Sequence, residues 1–234
     1  MAEGTITKYT IKRLVKDIAN ITKQPLHEHG IYYRHDDTNM LVGYALIVGP
    51  EDTPYQYGFY HFRIDYPTNY PDVPPKVTFL TNKNRIRFNP NLYRNGKCCL
   101  SILNTWHGDQ WSSCQTLRSI LLTLVTIFNK TPFLNEPAIT PHHEDFESYH
   151  KIIEYSNIQI AFLGTLEQNI MSINYTLFEN EIKLVYAQNI QKVKAFVQNE
   201  GWNTLDSTVY TNKMYEFDCK CNYKLLYDEI IKLN

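Results

Sequence analysis

The residues best equipped for covalent chemistry are Cys99 and Asn91, in the stretch Asn89-Pro90-Asn91-Leu92-Tyr93-Arg94-Asn95-Gly96-Lys97-Cys98-Cys99-Leu100-Ser101-Ile102-Leu103. Asn95-Gly96 is a turn signal, because both residue types accept positive φ, so the chain can double back and return Cys99 to the neighbourhood of Asn91. A thiol then faces a side-chain amide. Acyl transfer through a thioester needs those two groups: a sulfur to carry the acyl group, and a neutral donor to stabilise the oxyanion formed when an amine attacks. A free thiol titrates near about 8.5 and is only a few per cent ionised at neutral pH, yet sulfur is intrinsically nucleophilic, so exchange between thioesters depends on proximity more than on a dedicated base. On residue types alone, Cys99 also reads as a small buried hydrophobe and Asn91 as an amide that holds its own turn.

Several elements must position this pair. Ile11, Leu14, Val15, Ile18 and Ile21 recur at helical spacing, with Lys12, Arg13, Lys16 and Asp17 on the other face, and predict an opening amphipathic helix. Strand character follows at Ile31 to Arg34, Met40 to Val48 and Phe59 to Tyr66, joined by short connections that favour an antiparallel meander. Four prolines within residues 66–75 exclude a helix or strand interior there, so a rigid extended loop is expected, followed by a fourth strand over Lys76 to Leu80. Residues 82–115 show little periodicity, and so long an irregular stretch in a compact domain is usually functional. From Thr116 the spacing of Leu117, Ile120, Leu121, Leu124, Ile127 and Phe128 is helical, with Ser112 or Ser113 as candidate cap. Further helices are expected over Glu144 to Leu166, Leu177 to Gln198 and Tyr223 to Leu233. The segregated order predicts an α+β fold: N-terminal helix, four-stranded antiparallel meander, catalytic loop and C-terminal helices. The core would occupy residues 1–165, with a helical extension, 166–234, packed on it.

Composition limits the function classes. Lys plus Arg number 23 against 24 Asp plus Glu, a formal charge of -1, so no overall field holds the chain on nucleic acid or anionic lipid; neither is an expected partner. An apolar content of 43% with 20% charged residues excludes wholesale disorder and fibrous repeats. Nowhere do about 18 apolar residues run together, and the start lacks the apolar stretch of a signal peptide. The expectation is a soluble protein of the cytoplasm or nucleus. Abundant Asn, Ile, Lys and Tyr hint at an AT-rich genome, and a viral chain would work in its host cell. Five cysteines without paired C-x-x-C spacing point to reduced thiols, with neither a disulfide framework nor a metal site.

The stretch around Cys99 resembles the active site of the ubiquitin-conjugating enzymes, whose signature is His-Pro-Asn, with the catalytic Cys eight residues after that Asn in a Gly-x-x-Cys-Leu setting. Asn91 to Cys99 has that spacing. The opening helix with Lys12-Arg13 and Lys16, the loop Tyr70-Pro71-x-x-Pro74-Pro75-Lys76-Val77, Trp106 to Ser112 and the helix from Thr116 fall where the family has them. The match covers about residues 8 to 165. Asn89 in place of the usual His, and the run Leu-Ser-Ile-Leu-Asn-Thr-Trp-His-Gly after the Cys, are similar to the larger Asn-Pro-Asn branch that carries a C-terminal extension.

The resemblance implies a role for each residue. Cys99 would accept ubiquitin, or a ubiquitin-like modifier, from the thioester of an activating enzyme and pass it to a substrate lysine or a ligase, with Asn91 as oxyanion donor. Asn89 and Pro90 would brace the loop. Glu136, in Asn135-Glu136-Pro137, matches an acidic position that positions or deprotonates the attacking lysine; its bland reading is a solvated loop charge. Ser101 stands where the family often has Asp, and would gate the thioester and invite phosphorylation. Cys98 reads as core, on the opposite side of a locally extended chain. Lys12, Arg13 and Lys16 would meet the activating enzyme. Asp72, Val73 and Ser113 lie in the ligase-facing loops and depart from the commonest pattern there. No cofactor is bound, since ATP and magnesium are used by the upstream activating enzyme. The C-terminal residues would form an ordinary helical cap or a docking site. A catalytically inactive ubiquitin-binding module of the same fold, or a cysteine hydrolase pairing Cys99 with His107, are the alternatives. Replacing His107 by Ala separates the last: a hydrolase loses its activity, whereas a conjugating enzyme still forms its thioester on a non-reducing gel.

Overall fold

A computed structural model of the chain describes residues 5–81, 86–167, 176–201 and 207–233. Part of the expected irregular segment (82–85), parts of the expected extension (168–175, 202–206 and 234) and residues 1–4 lie outside the described residues.

Helix α1, Lys8–Lys23, is capped by Thr7, whose hydroxyl accepts from the Thr10 N–H at 3.0 Å. Its buried side is not the one that hydropathy predicts. Thr10, Leu14, Asp17 and Ile21 face inward, while Ile11 and Val15 are 36% and 54% exposed. Pairing explains the rotation. The Thr10 hydroxyl donates to the Thr68 carbonyl at 2.8 Å, and the Asp17 carboxylate accepts from the Tyr70 hydroxyl at 2.6 Å and from Arg13 Nε at 3.1 Å. Polar groups with all partners supplied can occupy a core that an unpaired group cannot.

The sheet is the expected meander, β1 (Ile31–His35), β2 (Val42–Val48), β3 (Phe59–Asp65) and β4 (Lys76–Phe79), in spatial order 1-2-3-4 and antiparallel throughout. The register pairs Ala45 with Phe62 and Phe62 with Phe79, placing these three side chains on one face. Helix α2, Leu117–Thr126, follows, and just beyond it the Phe128 ring lies 4.6 Å from Tyr60 and 5.0 Å from Tyr55. Its cap is Thr116, in a reciprocal box with Ser119, rather than Ser112 or Ser113. It stops before Phe128, and the Ile127 carbonyl is taken by the side-chain amides of Asn89 and Asn135 at 2.8 and 3.2 Å.

Helix α3, Phe146–Ser156, begins two residues later than expected, and the carboxylate of Asp145 just before it accepts the Met214 N–H at 2.9 Å instead of capping the helix. It widens into a π-helical segment, Asn157–Leu163, and ends with Gly164–Leu166. Asn157 stands at the change of winding, accepting from the Tyr60 hydroxyl at 2.7 Å and donating to the Gln56 carbonyl at 2.9 Å. Helix α4, Glu179–Asn199, lies against the sheet's second face, where Arg34 pairs with Glu181 and sits over the Phe178 ring. Phe162 stacks on Phe59 at 5.7 Å. His61 is shut in near Phe178, and burial pushes its imidazole down to about 3, so it is neutral at physiological pH.

The expectation of an all-helical extension is corrected. Thr208–Asn212 (β5) and Phe217–Cys221 (β6) form an antiparallel hairpin with Tyr210 opposite Cys219. Helix α5, Tyr223–Lys232, closes the described chain, capped by the Asn222 side chain. Alternation accounts for the hairpin: Cys219 and Cys221 point inward while Asp218 and Lys220 are exposed. No described helix is long and apolar enough to cross a membrane.

The Asp17 cluster yields a test of this packing. Asp17→Ala strips the Tyr70 hydroxyl and the Arg13 guanidinium of their shared acceptor and is expected to cost about 3 kcal/mol in urea unfolding; a loss below about 1 kcal/mol, the range of an exposed pair, would show that the carboxylate does not hold α1 in register.

Candidate active site

Gly96 closes the loop that carries the chemistry. It adopts φ +87°, and a Cβ there would lie 2.8 Å from the Phe79 carbonyl oxygen, so neither the conformation nor the space admits a side chain readily. The Gly96 N–H donates to the Tyr93 carbonyl and the Tyr93 N–H to the Lys97 carbonyl, each at 2.9 Å, while the Phe79 N–H reaches the Gly96 carbonyl at 2.8 Å and ties the turn to β4. The doubling-back brings Asn91 and Cys99 together twice over. The Cys99 N–H donates to the Asn91 carbonyl at 2.8 Å, and Asn91 Nδ2 donates to the Cys99 carbonyl at 2.8 Å. One Nδ2 hydrogen is thereby used, and an amide nitrogen has two.

Cys99 is 2% exposed, and its sulfur has no hydrogen-bonding partner among the described residues. Cys98 is buried to the same degree, faces a cavity of about 550 Å³ shared with Val77, Lys97 and Thr105, and has its thiol pushed well above the usual range by burial. Adjacent cysteines thus differ in surroundings.

The loop is braced from beneath by Asn89, which is fully buried. Its Nδ2 donates to the Tyr55 hydroxyl at 3.0 Å and the Ile127 carbonyl at 2.8 Å. Its Oδ1 accepts the Asn91 N–H at 2.9 Å and Asn135 Nδ2 at 3.3 Å. Buried Pro90 offers its carbonyl to Arg87 Nη2 at 2.7 Å. The Arg87 guanidinium lies between two rings, 4.0 Å from the centroid of Tyr93 and 4.3 Å from that of Tyr215, and 3.8 Å from Glu136. Glu136 is therefore no solvated loop charge. Its side chain is 17% exposed, and its Oε2 accepts the Tyr215 hydroxyl at 2.5 Å.

The other sequence-derived residues fall into two places. Half-buried Ser101 opens a short turn, Ser101–Leu103, and Gly108 approaches its side chain closely. On α1, Lys12 and Lys16 are exposed beside Ile11 and Val15, whereas Arg13 is committed internally. It pairs with Asp17 and donates to the carbonyls of Ser113, at 2.6 Å, and Gln115. Trp111 Nε1 donates to the Pro71 carbonyl at 2.7 Å, joining the loop of Ser113 to that of Asp72 and Val73, all three exposed. His107 is exposed and makes no hydrogen bond to Cys99 among the described residues. Among the described residues no group of three or more His, Cys, Asp or Glu is arranged to hold a metal ion. Sequence reasoning missed Arg87, Arg94, Asn135 and Tyr215. Arg87 stands two residues before Asn89, but only the folded chain shows what it stacks on.

A sequence profile described as Ubiquitin-conjugating enzyme matches residues 13–156. Over 160 residues the chain is 41% identical to ubiquitin-conjugating enzyme E2 Z of Xenopus tropicalis, covering 67% of this chain and 50% of that protein. It is 40% identical over 158 residues to the protein of the same name from Homo sapiens, covering 66% and 44%. A probable ubiquitin-conjugating enzyme of Acanthamoeba polyphaga mimivirus is 30% identical over 245 aligned positions, which take in 99% of this chain and 16% of the viral protein. The chain spans at most half the length of each of these relatives.

The contrast between thiols is measurable. Iodoacetamide applied to the native protein is expected to modify exposed Cys114 while Cys98 stays unmodified until urea unfolds the chain, as read by peptide mass spectrometry; early labelling of Cys98 would refute the burial described above.

Proposed function

This chain belongs to the ubiquitin-conjugating enzyme family, and we propose that it carries ubiquitin or a ubiquitin-like modifier as a thioester on Cys99 and transfers it to an amine or to a ligase. The single observation that carries this reading is the pairing of Asn91 with Cys99 across the Gly96 turn, by main chain and side chain together. In the loading step the Cys99 thiolate attacks the thioester carbonyl on the activating enzyme; a new carbon–sulfur bond forms, the old one breaks, and the activating enzyme leaves as its thiolate. ATP is consumed upstream, by the activating enzyme and with its magnesium. In the transfer step a lysine ammonium first gives one proton to solvent. The free amine attacks the Cys99 thioester, the carbon–sulfur bond breaks, an amide forms, and the second proton ends on the Cys99 sulfur. The remaining hydrogen of Asn91 Nδ2 is the donor for the intermediate's oxyanion, and Glu136 is the carboxylate that receives the incoming ammonium.

The partner surfaces follow the same reading. Exposed Lys12 and Lys16 with their apolar neighbours on α1 form the face for the activating enzyme, and Arg13 braces that face against the loop of Ser113. Asp72, Val73 and Ser113 form the ligase face. The hydrolase alternative loses support because His107 points to solvent away from any bond with Cys99, and an inactive binding module has no use for the Asn91–Cys99 pair.

The test mixes the chain with ubiquitin, ATP, magnesium and a panel of activating enzymes. A thiol-sensitive adduct is expected for wild type and Cys98→Ala and none for Cys99→Ala; an adduct that survives in Cys99→Ala, or none with any activating enzyme, would sink the reading. Asn91→Ala is expected to load yet to discharge onto lysine about 100-fold more slowly, the scale of removing one oxyanion donor.

A further inference from the structure

Resting on the reading of Cys99 as acyl carrier and Glu136 as the carboxylate on the amine's side, the geometry points to Tyr215 as a positioning residue for transfer: the turn of the C-terminal hairpin fixes the Glu136 carboxylate beside the catalytic loop. Tyr215 lies 79 residues from Glu136 in sequence, and its hydroxyl donates to Oε2 at 2.5 Å. Arg87 approaches the same oxygen. The carboxylate is thus clamped through one oxygen, and Oε1 is left as an open acceptor for an ammonium. Burial and the neighbouring Glu136 carboxylate both push the Tyr215 phenol up, so it stays a donor across the physiological range.

Tyr215 can act this way because it is itself rigidly held. Its N–H donates to Asn212 Oδ1 at 2.7 Å, the neighbouring Met214 N–H donates to Asp145 Oδ2 at 2.9 Å, and Lys213 pairs with Glu144 at 2.5 Å. From the other side Arg94, within the catalytic loop, donates to the Tyr215 carbonyl. A cleft of about 390 Å³ runs between the loop residues Tyr93, Arg94 and Asn95 and the turn residues Met214, Tyr215 and Glu216. The route from the Cys99 backbone to the turn is continuous: Cys99 to Asn91, then adjoining Pro90, to Arg87, to Glu136 and Tyr215. The extension therefore supplies one wall of a cleft whose other wall is the loop leading to Cys99. A carboxylate displaced by about 1 Å receives an amine far less productively, which is the effect Tyr215 prevents.

Wild type, Tyr215→Phe, Glu136→Gln and the double variant, each as the whole chain of residues 1–234, would be loaded with ubiquitin, the activating enzyme stopped by removing ATP, and discharge onto free lysine followed over a range of lysine concentrations. Tyr215→Phe keeps the ring over Arg87, and its melting temperature is read alongside. All four are expected to load within about twofold of one another, because thioester exchange uses neither side chain. Tyr215→Phe is expected to discharge about tenfold more slowly, with a raised KM for lysine, and the double variant no more slowly than Glu136→Gln alone. Discharge of Tyr215→Phe at the wild-type rate overturns the proposal, as does a tenfold loss that persists in the Glu136→Gln background, since a general structural defect would multiply through both. Failure of the wild type to load at all removes the acyl-carrier reading and this role with it.

Discussion

The buried side chain of Asn89 is the junction on which the site depends. Four hydrogen bonds meet at its amide, from the loop before β3, from the end of α2, from the loop containing Asn91 and from the segment containing Asn135. Each is worth only about 1 kcal/mol net, but a buried group left without its partner costs roughly 1–3 kcal/mol, so the junction is stable chiefly because breaking any one bond strands a buried partner. Fixing Asn89 fixes three things at once: the Asn91 N–H, where α2 ends, and the approach to Glu136 through its neighbour Asn135. An imidazole at this position has one donor and one acceptor when neutral, whereas an amide has two of each. The wider capacity of the amide is what lets a single residue serve so many elements.

The sheet's second face shows a different solution to burial. In a meander with helices on one side, the opposite face commonly meets water. Here Phe162, Phe178 and α4 cover the part of it that carries Phe59 and His61, leaving Arg63 and Asp65 at the other end as a part-exposed ion pair. His61 is the cost of that arrangement, a buried imidazole with both ring nitrogens unpartnered among the described residues. The interface is otherwise supported by aromatic stacking and by the Arg34–Glu181 pair at its rim.

What could be read from sequence was local. The Asn95-Gly96 turn implied the return of Cys99 to Asn91, runs of strand character with short connections implied the meander, and the spacing after Thr116 implied α2. Failures arose where a contact outweighed a pattern. Helix α1 shows Ile11 and Val15 to solvent because Thr10 and Asp17 find partners inside, and hydropathy has no way to register a satisfied carboxylate. The hairpin was legible in principle, since Phe217-Asp218-Cys219-Lys220-Cys221 alternates as a strand should, but five residues between helical patterns are easily absorbed into them. Arg13, read as a surface cation, is committed to two carbonyls a hundred residues away. Arg87 and Tyr215 gave no signal because their meaning lies in a stack whose members come from two distant parts of the chain.

The separation between Glu136 and Tyr215 also sets an order of events during synthesis. Ribosomes add about 5–20 residues per second, so the 79 positions between these residues take about 4–16 seconds to translate. Helix and hairpin formation are complete within microseconds. The emerging chain therefore has ample time to assemble the meander, α2 and the Asn89 junction while the strands that finish the cleft are still being made. For that interval a nascent chain holds Asn91 and Cys99 in their loop while Arg87 and Glu136 still lack the ring and hydroxyl of Tyr215.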